Sequence, residues 1–264
     1  MEILGYIAAL LIGISLGLIG GGGSILTVPV LVYIFHIQPK IATSYSLFIV
    51  GSTSLVGAVN NYIKGWVDLE TALLFGVSSI STVFLTRSFI IPVIPERIAT
   101  IGNFKVTASL LTMVLFAILM LMASWSMIRK RTVIIPEKHD ATKGSEIINL
   151  LGYGIIVGLV TGLLGAGGGF LIIPTLVLLL GKPMKKAIGT SLLIISMNTL
   201  LGFTGDLGHV DMDWKLLLIL TGIAIVGVFT GIAIGKKIPG EKLKKGFGWF
   251  VLAMGVYILV RELW

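Results

Sequence analysis

The chain contains no cysteine among its 264 residues. Disulfides, thiolate metal sites and cysteine nucleophiles are therefore excluded, and the compartment is left open, because a membrane protein needs none of them. Charge is scarce too, at 12% of residues, against roughly 25% in soluble domains. Acidic groups are the rarer sign, 12 in all, and none falls in the middle of an apolar run. A relay of intramembrane carboxylates, as proton-coupled carriers use, is thus not visible, and Asp206 comes nearest to one. Also missing are a Walker sequence, a His/Asp/Glu cluster at metal-ligand spacing and any nucleophile–base arrangement. No catalytic residue, metal or cofactor is expected, and an enzyme is not the reading.

What the chain has instead is apolar surface. Hydrophobic residues make up 56% and mean hydropathy is +1.04, values that define an all-α, polytopic membrane protein. At about 20 residues per crossing, the length holds about eight spanning or part-spanning segments and no sizeable soluble domain. The net charge of +8 comes from Lys and Arg placed between apolar runs, the pattern of cytoplasmic loops and not of a nucleic-acid-binding face. The N-terminus lacks the basic stretch and small-residue cleavage site of a signal peptide, so it is expected to remain part of the first segment.

One stretch occurs twice. Gly17-Leu-Ile-Gly-Gly-Gly-Gly-Ser-Ile-Leu-Thr-Val-Pro29 returns 145 positions later as Gly162-Leu-Leu-Gly-Ala-Gly-Gly-Gly-Phe-Leu-Ile-Ile-Pro174. Each interior glycine costs a helix about 1 kcal/mol relative to Ala, so four in a row predict a hydrophobic helix broken in its middle. The first segment, Ile3 to Phe35, is too long for one straight span and is divided by Gly20–Gly23. Apolar segments follow at Ile41–Ile63, Leu69 to about Ile94, and Asn103–Ile128. A polar linker over 129–146, opening on Arg129-Lys130-Arg131, then separates an N-terminal repeat (1–128) from a C-terminal repeat (147–264). The second repeat runs through Ile147–Leu180, Ala187–Phe203, Trp214–Gly235 and Gly246–Val260. Ala42-Thr43-Ser44 is echoed by Gly189-Thr190-Ser191, and Gly65-Trp66-Val67-Asp68 by Gly208-His209-Val210-Asp211.

Loop charge arbitrates between topologies, because Lys and Arg concentrate in the cytoplasm. If all eight segments cross, the cations divide 12 to 8; if each glycine-broken segment dips in and returns, they divide 14 to 6. The second arrangement leaves three crossings per half and makes the halves inverted repeats, a recurring transporter plan. It places the linker on the cytoplasmic side of the cell (inner) membrane.

A break inside a bilayer frees N–H and C=O groups that must face protein or a wet cavity. The N-terminus of each second half-helix, near Ser24 and Gly169, presents free N–H groups and suits an anion. The candidate substrate-binding residues are therefore Gly20, Gly21, Gly22, Gly23 and Ser24 in one copy and Gly165, Gly167, Gly168 and Gly169 in the other. Thr43, Ser44, Thr190 and Ser191 join them as hydroxyl donors that recur in both halves. Against this stand two plain structural roles: glycines let helices pack closely, and membrane Ser and Thr usually bond their own helix backbone. Arg87 and Lys105, near the ends of apolar segments, could attract substrate, but snorkelling to the headgroups is the commoner fate and the one expected here; Trp66 and His209 are expected to anchor at the interface.

The doubled Gly-Leu-Ile/Leu-Gly-x-Gly-Gly motif with its following proline, the Thr-Ser pair and the Gly-x-Val-Asp turn together resemble the sulfite exporter TauE/SafE (TSUP) family over essentially the whole chain. The resemblance implies a membrane transporter of small anions, most often sulfur oxyanions or organosulfonates, and does not fix substrate or direction. The expected partners are a small anionic substrate and the lipid bilayer, with no nucleic acid; a homo-oligomer is left open. Two alternatives stay open beside a carrier: an anion channel, and a non-transporting membrane assembly subunit. Without a visible carboxylate relay, uncoupled electrogenic export is the simpler expectation.

Overall fold

Eighteen residues form α1 (Glu2–Ile19), which stops at the glycine run. Gly20 there takes φ +78°, a backbone region that a side chain would strain. A 3₁₀ turn (Gly21–Leu26) leads into the short α2 (Thr27–Tyr33), and the chain doubles back. The Phe35 ring ends up against the backbone of Gly5, with the rings of Tyr6 and Phe35 6.2 Å apart. The start of α1 and the end of α2 thus lie at one level. The computed structural model describes residues 2–101, 104–128, 143–165, 167–178, 180–235 and 240–263.

α3 (Pro39–Ile63) begins on a proline, whose missing N–H costs nothing in a first turn. α4 (Leu69–Leu85) is capped by the Asp68 carboxylate, which accepts from the Thr71 N–H at 3.1 Å. It runs on through a π-helical turn (Thr86–Ile90) into α5 (Ile91–Val93), where Ile94 turns extended before Pro95. The sequence predicts helix from Asn103, but β1 (Arg97–Ile101) and β2 (Phe104–Thr107) pair antiparallel, Ile101 opposite Phe104. Their β-branched content (Ile98, Thr100, Ile101, Val106, Thr107) favours strand, and α6 (Ala108–Ile128) starts later. Residues 129–142 of the predicted linker lie outside the described residues.

The second half comprises α7 (Lys143–Leu164), α8 (Gly169–Leu178), α9 (Met184–Thr204), α10 (Trp214–Gly235) and α11 (Gly240–Leu263). The cap of α10 is Asp213, whose carboxylate accepts from the Leu216 N–H at 3.0 Å, and not Asp211, to which the Gly-x-Val-Asp likeness points. The difference is one of reach: the first helical residue is Trp214, and only the residue just before it can meet the N–H groups of that turn. Apart from the hairpin the fold is helical, and six described helices are long and apolar enough to cross a membrane: Pro39–Ile63, Leu69–Val93, Ala108–Trp125, Ile147–Leu164, Met184–Thr204 and Trp214–Gly235.

The main helix pairs join one half of the sequence to the other. α1 packs on α10, α4 on α7, α3 on α9, α6 on α11, and the 3₁₀ turn on α8. Glycine sets the closeness of two of these pairs. Gly13 and Gly17 of α1 meet the backbone at Ala224 and Val228, and Gly227 and Gly231 of α10 meet Leu10 and Ile14 in return. Gly154, Gly158 and Gly162 of α7 ride on Ser78 and Ser79 of α4 and on Thr86 of the π-helical turn that continues it. This is small-residue packing at four-residue spacing on facing helices.

The same contacts give direction. α1 and α10 run parallel, since residue numbers rise together from Gly13/Ala224 to Gly17/Val228, and so do α7 and α4 from Gly154/Phe75 to Gly162/Thr86. α3 and α9 run antiparallel: Gly51 meets Leu200, Gly57 meets Leu192, and Asn61 meets Gly189.

Candidate functional site

The antiparallel crossing of α3 and α9 brings the start of each helix to the turn that follows the other. At the α9 start, the Asp68 N–H donates to Thr190 Oγ1 at 2.9 Å, and Lys182 Nζ bonds the Asp68 carboxylate at 2.5 Å. Lys185 and Lys64 flank the Trp66 ring at 5.0 and 5.5 Å. Partial burial by itself would raise the Asp68 carboxyl. The Lys182 ammonium and the Thr71 N–H outweigh it, and hold Asp68 below the usual carboxylate range.

At the α3 start the chemistry differs. Thr43 Oγ1 donates to its own Lys40 carbonyl at 2.8 Å and accepts from Arg87 Nη1 at 3.2 Å. The same Nη1 reaches Asp206 Oδ2 at 3.1 Å, and the Ser44 hydroxyl donates to that oxygen at 2.5 Å. Arg87 is 1% exposed and Asp206 2%. Arg87 sits in the π-helical turn of the Leu69–Val93 span, and Asp206 in the turn closing α9. The expectation that Arg87 snorkels is corrected here: its head group is buried against the Asp206 carboxylate. Asp206, the nearest approach to an intramembrane carboxylate, is enclosed as its partner.

Between the two ends lie the glycines. Gly21 and Gly169 meet backbone to backbone, with Ile195 against Gly21. Gly20 abuts Ile188, Gly23 abuts Ser15 and Leu16, and Ser24 donates to the Gly21 carbonyl at 2.7 Å. Gly22 lies in the 3₁₀ turn, and its surroundings fall outside the described residues. Gly167 packs against Val50, Ile195 and Thr199, and Gly168 against Thr161. Gly165, with φ +66°, presses on Thr43 and on Arg87 Nη2. Ser191 donates to its own Ile188 carbonyl at 2.9 Å.

Most of the predicted residues therefore fall into three groups. Thr43, Ser44 and Gly165 join the Arg87–Asp206 pair; Gly21 and Gly169 meet where the halves touch, with Gly167 against the same Ile195; Thr190 and Ser191 lie at the far end, Thr190 accepting from the Asp68 N–H and Ser191 bonding its own helix. The hydroxyl of Ser24, committed to its own turn, is not free for a ligand. Sequence reasoning did not foresee the burial of Arg87 or its pairing with Asp206. A signal was there: Arg87 is the only charged residue between Glu70 and Glu96.

Apolar helices of crossing length, enclosing a charged pair, define a multi-pass membrane protein with polar chemistry inside. The model of the sulfite exporter TauE/SafE family matches residues 5–258. The chain belongs to this family of membrane transporters and is not an enzyme. It is 29% identical over 255 residues to a "Probable membrane transporter protein" of Xylella fastidiosa strain Temecula1, covering 96% of this chain and 92% of that one. It is 28% identical over 257 residues to the "Probable membrane transporter protein YunE" of Bacillus subtilis, covering 92% and 90%. A relative of the same description in Haemophilus influenzae is 24% identical over 275 residues, covering 95% of each chain. No solved structure matches the chain.

Proposed function

We propose that residues 1–128 and 147–264 are inverted repeats, and that the protein carries small anions, sulfur oxyanions or organosulfonates, through the region where the two glycine-rich breaks meet. The observation that carries this reading is the crossing of α3 and α9. These are corresponding segments, both of membrane-crossing length, and they run antiparallel. Two repeats whose equivalent helices oppose one another are related by an axis in the membrane plane. The return of Phe35 to Gly5 supports a first segment that dips in and comes back.

Charge agrees with this. Lys182 pairs with Asp68, which the inverted arrangement permits by placing Lys64, Lys182 and the linker on one face. Eight straight crossings would put Asp68 and Lys182 on opposite faces. The positive-inside rule then makes the cation-rich face cytoplasmic.

Flux tests the transport reading. Purified protein in liposomes is expected to move members of a panel of sulfite, sulfate, thiosulfate, taurine and sulfoacetate, with saturation and counterflow. Saturable flux without counterflow would favour a channel, and no flux of any member would leave an assembly role.

A further inference from the structure

A guanidinium has five N–H donors in a planar fork, and the two on one edge, Nε–H and one Nη2–H, point in parallel at the spacing of two oxygens on one acid group. In Arg87 the Nη1 corner is committed to Thr43 and Asp206. The opposite edge is not: Nε and Nη2 are both buried and have no hydrogen-bond partner among the described residues. Leaving charged donors unsatisfied inside a membrane protein is costly, and function is the usual reason such a group persists. The free edge is turned toward Gly165, whose backbone lies beside Nη2 in the left-handed conformation that ends α7. Arg87 itself occupies a π-helical turn, an irregularity that often accompanies functional sites.

The inverted repeat adds an independent reason. Thr43-Ser44 and Thr190-Ser191, and the turns they contact, occur in both halves, as devices of the fold do. The Arg87–Asp206 pair does not recur. Aligning the two helix caps, Asp68 with Asp213, places Ile232 opposite Arg87 and Asn61 opposite Asp206. A charge pair confined to one copy is not needed to build the repeat.

We infer that the free Nε/Nη2 edge of Arg87, beside Gly165, is the anion-binding element of the pathway, and that it takes a monovalent oxyanion group, a sulfonate, carboxylate or hydrogen sulfite, in bidentate fashion. The single charge follows from the pairing with Asp206. Arg87 and Asp206 are neutral together, so a bound monoanion leaves one net negative charge in a buried site and a dianion leaves two, which low dielectric opposes. The inference deepens the transport reading and rests on it for its functional sense. In this state Arg87 is covered, so entry requires the Gly165 side of the break to move away.

The test uses the full-length protein in lipid nanodiscs, in Tris buffer at constant ionic strength with sodium chloride. Binding of methanesulfonate, acetate and sulfate is read by calorimetry and by the shift in melting temperature. Methanesulfonate and acetate should bind wild type more tightly than sulfate, and Arg87→Lys, which keeps charge but loses the fork, should weaken them about tenfold or more. The double variant Arg87→Gln/Asp206→Asn leaves no orphan charge and should fold but not bind. Asp206→Asn alone leaves Arg87 unpaired, so methanesulfonate should bind it more tightly than wild type and raise its melting temperature further; if it unfolds without anion, methanesulfonate added during purification should recover it. Equal responses of wild type and the double variant, sulfate binding as well as methanesulfonate, or failure of methanesulfonate to rescue Asp206→Asn would overturn the inference. Panel flux that persists unchanged in Arg87→Lys would overturn it while leaving transport intact, whereas absent flux with Arg87-dependent binding would defeat the transport reading alone.

Discussion

Arg87 and Asp206 hold each other in place inside a medium that tolerates neither alone, and removal of one partner of such a buried pair typically costs about 3–5 kcal/mol. Their neighbours Thr43, Ser44 and Gly165 carry small side chains or none, which is what lets the pair be enclosed. Positive-φ glycines play a separate part. Gly167, with φ +72°, packs against Val50 and Ile195 at the junction of the halves. Gly167→Ala should cost about 1–2 kcal/mol of stability from backbone strain and reduce flux by far more than the loss of folded protein. Gly222→Ala is the control, because nothing lies within 4 Å of the position its Cβ would take. Gly5, an unremarkable helix glycine in the sequence, would be a poor control, since the Phe35 ring occupies that space. Thermal unfolding and flux measured on the same preparations decide; flux that falls only in step with folded protein would assign Gly167 to packing.

Two elements depend on contacts that can be broken separately. The α1–α10 seam relies on Gly13, Gly17, Gly227 and Gly231 at backbone distance. Gly227→Leu should therefore destabilise by about 1–3 kcal/mol through overpacking, while Gly222→Leu, on the same helix, stays within about 0.5 kcal/mol. Equal melting temperatures for the two would remove the seam from the account. The turn before α4 depends on charge. The carboxyl of Asp68 is held below its ordinary value of 3.8, so the contribution of its pairing with Lys182 is fully present above about pH 5, begins to fade near the unfolded value of about 3.9, and is lost as pH falls through the lower folded value. The stability difference between wild type and Asp68→Asn should be constant from pH 7 to about pH 5 and close below about pH 4. A difference unaffected by acid would show that the cap, and not the charge, is what Asp68 supplies.

For the molecule as a whole, the proposed topology is open to chemical labelling, because the chain is free of cysteine. Single cysteines at Gln38, Lys138 and Lys182 should divide two against one under an impermeant reagent, with Lys138 and Lys182 behaving alike and Gln38 alone reacting from outside. Lys182 reacting with Gln38 would restore eight straight crossings. Energetics belong to this scale as well. An anion moved across 100 mV gains or loses about 2.3 kcal/mol per charge, so uncoupled export of a monoanion should accelerate when a potassium-diffusion potential makes the loaded interior negative. With pH and sodium equal on both sides, an unchanged rate, or a strict need for a proton gradient, would sink that expectation and turn attention to Asp206 as a proton carrier.

Much of this protein was legible along the chain. Apolar runs of crossing length made it a multi-pass membrane protein, because hydropathy is a local property that a bilayer reads segment by segment. The doubled Gly17–Pro29 and Gly162–Pro174 stretches each hold a helix end, after Ile19 and after Leu164, because a run of glycines lacks the local stability to continue a helix. The Thr-Ser pairs could be seen to recur, but not that Thr43 and Ser44 meet a charged pair while Thr190 and Ser191 do not. That depended on which turn each helix start faces, and so on α3 and α9 crossing antiparallel. Arg87 and Asp206 are 119 positions apart, and neither residue's local surroundings announce the other. An arginine near the end of an apolar segment has two outcomes, snorkelling to headgroups or enclosure with a counter-charge. Only the tertiary structure decided between them, because the deciding quantity is the polarity of the space around the guanidinium, and that space is built by helices from both halves.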